Sequence, residues 1–216
     1  MPQFAGLPFP RRYNTLRLLG YGYDSPFRLC AVTMVTDSRT PFFADTKLAK
    51  RVLASLISEE TLKYMRVRAF TLLPDHLHLL AGVRQPESKL PNLLGRFKSY
   101  SAQLYWKRSR EIVEANEVCL PPKFVVKVCR AEARSLLPSL MEWRATLRPE
   151  VVELKNWPAL KPQQFLRKQL WQERFFDHII RNDTDLLENL TYIAMNSVKR
   201  GYVSHPQFYP YTGFIL

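Results

Sequence analysis

The chain has 216 residues, 46% apolar, 24% charged and 12% aromatic, a composition that builds one buried core and excludes a disordered chain or a second full catalytic domain. Its 32 Lys and Arg against 19 Asp and Glu leave a net charge of +13, so a polyanion is the expected partner, since each phosphate neutralised releases counterions; a merely solvated basic surface is the plainer reading. Three scattered cysteines make neither a disulfide framework nor a zinc knuckle, and no secretory signal or apolar run of about 18 residues is visible, so a cytoplasmic protein without a membrane span is expected.

Residues 1–26, rich in Pro and carrying Arg11, Arg12, Tyr13, Tyr21 and Tyr23, read as a basic, aromatic arm. Residues 27–36, FRLCAVTMVT, have the unbroken apolar pattern of a buried strand. Asp45 or Thr46 then opens a helix of about four turns, with Leu48, Val52, Leu53, Leu56 and Ile57 on one stripe. Residues 65–83 form two extended runs hinged at Pro74 and Asp75, an antiparallel pair. From about Pro91 a second amphipathic helix follows, presenting Arg96, Lys98, Lys107 and Arg108 outward.

Six prolines interrupt residues 109–168, which read as an insertion without a long intact element. Residues 170–181 give a loop and a strand, and Asp183 to Arg200 a helix stopped by Gly201. This order predicts a single α+β domain, a ferredoxin-like antiparallel sheet with helices on one face plus the insertion.

His76 and His78 flank Leu77 on the second strand of the hairpin. Strand side chains alternate with period two, so both imidazoles leave the same face and form half of a divalent-cation site; two histidines satisfied by hydrogen bonds on a half-exposed sheet would look the same. On the last helix, Leu186, Leu187, Leu190, Ile193, Ala194 and Val198 share a stripe, whereas Asp185, Asn189, Tyr192, Asn196 and Lys199 fall on the other side. The i, i+4 spacing stacks the Tyr192 phenol and the Asn196 amide on that second face.

LPDHLHLL (residues 73–80), LWQERFFDHIIRNDTDLLENLTYIAMNSVKRGYV (residues 170–203) and HPQFYPY near the end together resemble the HUH (His, hydrophobic, His) single-tyrosine transposases, in particular the REP-associated tyrosine transposases. The resemblance implies that His76, His78 and Asn196 ligate a metal and that Tyr192 is the nucleophile. It implies a strand transferase that cuts single-stranded DNA near hairpins through a 5′-phosphotyrosine, with a homodimer as a compatible assembly. Mg²⁺ or Mn²⁺ suits such a phosphate substrate, zinc being the structural alternative. Ser197 stands where the family often has proline, which removes a kink and leaves the ligands untouched.

Arg11, Arg12, Arg96 and Lys98 are expected to hold DNA by charge and stacking, and Lys199 and Arg200 to serve strand phosphates from the last helical turn. Tyr100 and Tyr105 compete with Tyr192 as nucleophiles, and His178 and His205 read as structural. Two other functions fit the same pattern: a hairpin-DNA-binding protein that has lost cleavage, and an RNA-binding ferredoxin-like module, which should carry aromatics in place of a His pair on its sheet.

Overall fold

The computed structural model describes residues 23–115, 123–129, 147–166 and 169–215. Arg11, Arg12 and Tyr13 lie outside them. Five strands make one antiparallel sheet: β1 (Cys30–Thr36), β2 (Met65–Leu73), β3 (His76–Val83), β6 (Trp171–Ile179) and β7 (Thr212–Phe214), in the order β6-β1-β3-β2-β7. A separate antiparallel pair, β4 (Lys123–Cys129) and β5 (Leu147–Glu153), comes from the insertion. The helices are α1 (Thr46–Leu56), α2 (Glu59–Tyr64), α3 (Leu90–Ala115) and α4 (Asp183–Lys199).

The hairpin of β2 and β3 turns at Pro74 and Asp75, as the sequence requires, and places β3 at the centre of the sheet. There Thr33 of β1 and Thr71 of β2 both lie opposite His78. Cross-strand partners share a face, so the period-two rule carries His76, His78 and Leu80 to one side and Leu77, Leu79 and Ala81 to the other.

The second side holds most of the core. Leu77 and Leu79 pack there with Val32, Met34, Phe42 and Phe43 and with the apolar faces of α1 and α3. Asp45 caps α1, its carboxylate accepting from the Leu48 amide at 2.6 Å, and the same carboxylate pairs with the fully buried Arg108 of α3 at 2.8 Å. Arg108 therefore faces inward, against the outward position expected for it. The single four-turn helix expected after β1 is two helices, because the Ser58 hydroxyl accepts from the Thr61 amide and starts α2.

On the core side α1 and α3 form the main helical layer, with α2 adding Leu62 to it. α4 crosses the opposite face, where Ile193 packs on Ala69 and Leu80 in a smaller apolar cluster edged by Leu186 and Leu190. Asn182 caps its start and Gly201, at φ +70°, ends it as expected. The helix is unbroken through Ser197.

Two expected boundaries move. The insertion was to begin at residue 109, but α3 continues to Ala115, and Trp157, Leu160 and Phe165 are buried in the main core, where the Phe165 carbonyl accepts from Tyr105 and Ser109. A Pro-rich spacing hid these anchors, since each apolar residue stands alone. The arm was to run to residue 26, yet Tyr23 is half-buried and donates its hydroxyl to Asp177 of β6 at 2.5 Å.

Candidate active site

The face of β3 that carries the two histidines is where α4 ends. The His76 and His78 rings meet edge to face with centroids 4.7 Å apart, and the Tyr192 ring stands against His78 at 5.1 Å and 78°. The backbone explains the meeting: Thr71, opposite His78 on β2, donates its hydroxyl to the Ile193 carbonyl at 2.8 Å, which fixes the helix residue next to Tyr192 onto the sheet. Tyr192 is half-exposed, and its hydroxyl makes no hydrogen bond among the described residues.

Each imidazole is oriented through Nδ1. The Asp75 carboxylate lies 2.6 Å from His76 Nδ1, and the Thr33 hydroxyl 2.8 Å from His78 Nδ1. Burial raises the Asp75 carboxyl, but the hydrogen bond and charge of His76, with Arg200 and Arg39, outweigh it and hold the group below the ordinary carboxylate range. Asp75 is therefore an acceptor and His76 donates Nδ1–H to it, which leaves Nε2 as the ring nitrogen not engaged by Asp75.

Burial pulls His78 down to about 3, with the charges of His76 and Arg200 acting in the same direction and Asp75 opposing them. The ring is thus neutral near pH 7. Its Nε2 is buried without a hydrogen-bond partner, an expensive state for a polar nitrogen. A neutral imidazole with one nitrogen held by a hydroxyl and the other bare is the state in which histidine binds a cation. The residues present fit a divalent metal ion.

Asn196, which the helical pattern put opposite the apolar stripe, is buried, because α4 lies on the sheet along its Ile193, Ala194, Asn196 and Ser197 edge. Its amide nitrogen donates to the Tyr192 carbonyl at 2.7 Å, leaving the oxygen Oδ1 as its acceptor end. Among the described residues, no three His, Cys, Asp or Glu side chains group as metal ligands.

Lys199 places its ammonium 4.9 Å from the Tyr192 ring centre, and Arg200 is near enough to act on both His78 and Asp75. Both are exposed, so the structure gathers His76, His78, Tyr192, Asn196, Lys199 and Arg200 around one end of α4.

Arg96 and Lys98 stand elsewhere, on α3 across the sheet. Arg96 is exposed there, but the Lys98 ammonium is half-buried and donates to the carbonyls of Gln172 and Glu173 at 2.5 and 2.8 Å. Lys98 ties α3 to β6, which corrects its assignment as a free DNA contact. Tyr105 is fully buried with its hydroxyl on the Phe165 carbonyl, and Tyr100 is exposed on α3; neither approaches the histidines' face. His178 pairs with Asp185 at 2.7 Å, linking β6 to the first turn of α4, and His205 faces the Gln207 amide, so both are structural as expected. Thr33, Thr71 and Asp75 escaped the sequence reading. Only Asp75, adjacent to His76, carried a local signal.

The family model described as "Transposase IS200 like" matches residues 30–137. A putative REP-associated tyrosine transposase of Haemophilus influenzae is 44% identical over 52 residues, 24% of this chain and 30% of the relative. The REP-associated tyrosine transposase of Escherichia coli is 40% identical over 63 residues, 27% of this chain and 38% of the relative. The matched stretches thus span about a third of those relatives' length. A solved structure of a REP-associated tyrosine transposase bound to a REP hairpin aligns with a TM-score of 0.51 over 95% of this chain and 82% of that one, at 15% identity; at that identity the likeness is one of fold.

Proposed function

The chain belongs to the IS200-like transposase family, and from that membership we propose that it is a metal-dependent endonuclease and strand transferase of single-stranded DNA near hairpins, with Tyr192 as its nucleophile. The observation that carries the reading is the 5.1 Å approach of the Tyr192 ring to His78, itself 4.7 Å from His76, between residues far apart in sequence. A phenol with no competing hydrogen bond, beside two imidazoles that fit a cation, suits attack on phosphorus.

In this reading Tyr192 Oη bonds to the scissile phosphorus as the bond from phosphorus to the 3′ oxygen breaks. The phenol gives up its proton and the leaving 3′ oxygen takes one up, so a 5′-phosphotyrosine and a free 3′-hydroxyl result. Attack by that hydroxyl, or by another 3′-hydroxyl, reverses the step and rejoins DNA without ATP, because the linkage conserves the bond energy.

The Nε2 atoms of His76 and His78 and the Oδ1 of Asn196 would hold Mg²⁺ or Mn²⁺. When bound, the ion withdraws charge from non-bridging phosphate oxygens and orients the phosphate. Asp75 and Thr33 engage the Nδ1 edges of the two rings, which would leave both Nε2 atoms for such an ion. Lys199 and Arg200 supply positive charge for the same oxygens.

The test incubates the full chain with single-stranded DNA carrying a hairpin, with Mg²⁺ or Mn²⁺, and looks for a covalent adduct on denaturing gels. The expected adduct disappears in Tyr192→Phe while DNA binding persists. Binding of the wild-type chain without any adduct would replace this reading by a hairpin-binding protein that does not cleave. An adduct that forms equally in EDTA would remove the metal role of His76 and His78.

A further inference from the structure

At the end of the sheet away from the histidines, three guanidiniums gather with few counter-charges. Arg66 of β2 lies opposite Gly82 of β3, so it shares the face of Leu80 and His78. It reaches across β3 to donate to the carbonyl of Arg28, two residues before β1, at 3.3 Å. That carbonyl lies over Gly82, where a Cβ would come within 2.3 Å of its oxygen; a side chain at 82 would push the Arg66 anchor away.

Arg66 is half-buried, its Nε has no hydrogen-bond partner, and burial together with the charges of Arg68 and Arg84 lowers its proton affinity. Arg68 sits where a bulge interrupts the pairing of β2 with β3, and Arg84 immediately follows β3. Both are exposed, and neither forms an ion pair among the described residues. Phe27 directly precedes Arg28, whose carbonyl anchors Arg66, and at 91% it is the most exposed of the large apolar side chains among the described residues. Like charges held together, an unpartnered donor and a bare aromatic ring cost stability unless an anion with a flat face covers them.

We infer that Phe27, Arg66, Arg68 and Arg84 form a second contact for the nucleic acid whose scissile phosphate meets Tyr192, gripping its backbone with the guanidiniums and stacking an unpaired or terminal base on Phe27. The inference rests on the proposed function for the identity of the strand. From His78 to Gly82 is four strand residues, about 13 Å, or roughly four nucleotides at the 3.4 Å rise of a duplex strand. One strand or hairpin stem can therefore span both contacts. Charge and stacking together are the chemistry of nucleic-acid grooves; an anionic lipid surface would also take a basic patch with an exposed ring, but the strand placed at Tyr192 lies within reach of this one and favours nucleic acid.

The experiment measures binding of a fluorescent hairpin with a single-stranded flank to the full chain across a salt series in EDTA, for the wild type, Arg68→Gln/Arg84→Gln and Phe27→Ser. The double variant removes two exposed charges and leaves the Arg66 anchor in place, and unchanged melting temperatures verify folding. The slope of log affinity against log salt should shrink by about 1.4 to 1.8, two phosphate contacts' worth. Phe27→Ser should weaken binding without changing the slope. Wild-type affinity and slope in both variants would overturn the inference, as would intact hairpin binding in both variants with loss of their binding to phosphatidylserine vesicles run alongside. Failure of the proposed function reads differently: no wild-type adduct in a separate incubation with Mn²⁺, with the slope in EDTA still falling in the double variant.

Discussion

The hydroxyl of Thr71 donates to the carbonyl of Ile193 at 2.8 Å and shares a 2.6 Å hydrogen bond with Thr212 of β7. This buried bond joins the strand opposite His78 to the helix residue that follows Tyr192, so it sets how far the phenol stands from the imidazoles. Thr71→Val keeps the shape and removes the donor. It should cost about 1–3 kcal/mol, the price of leaving buried polar groups without a partner, read as a lower melting temperature. Adduct formation should fall further than DNA affinity, since misplacement of the nucleophile affects the chemical step first. Equal losses in binding and in adduct would mean that Thr71 serves stability alone.

Acid should destabilise the metal-free protein well before its carboxylates titrate. The unfolded chain's imidazole binds a proton near pH 6.5, but folded His78 only near 3. Between those values the unfolded state holds more protons, so the stability due to neutral His78 is complete above about pH 6.5 and is lost as pH falls toward 3. Asp75, held below its ordinary range, adds to the loss at the acid end. Thermal melts in EDTA from pH 8 to pH 4 should decline for the wild type and flatten in His78→Gln. Parallel curves for the two proteins would contradict the buried neutral imidazole.

Divalent metal should stabilise the fold by mass action. At an ion concentration one hundred times the dissociation constant the gain is about 2.7 kcal/mol, seen as a higher melting temperature in Mn²⁺ or Mg²⁺ than in EDTA. His76→Ala should abolish the shift, and Asn196→Ala should reduce it if its amide oxygen completes the ligand set. Asp75→Asn should weaken it by loosening the His76 ring, about 10-fold to 100-fold in metal affinity. A full shift in His76→Ala would place the ion elsewhere.

Strand periodicity was enough to put His76 and His78 on one face, because alternation along β3 is a local rule and the Pro74–Asp75 turn fixes where it starts. Helical periodicity was not enough for α4. A helical wheel orders residues around their own axis, but which arc meets the sheet depends on docking. Thr71 and the Ala69–Leu80 surface chose the edge with Asn196 and Ser197, two polar residues that no hydrophobic stripe would select. Lys98 misled for a related reason: its spacing is that of a solvated face, and its two carbonyl acceptors lie more than seventy positions away. Trp157, Leu160 and Phe165 were hidden by prolines, since a residue that anchors a loop in a core needs no periodic neighbours.

The sheet divides labour between its two sides. Most of the buried large apolar side chains among the described residues belong to the main core cluster, which α1 and α3 cover, and that surplus offsets what the other side gives up in an unpartnered imidazole nitrogen and a buried amide. Substitutions that retune the His and Tyr face are therefore separated by the thickness of β3 from those that set overall robustness, and effects of changes on the two sides should add. A lineage carrying this scaffold can alter its chemistry without renegotiating its foundation.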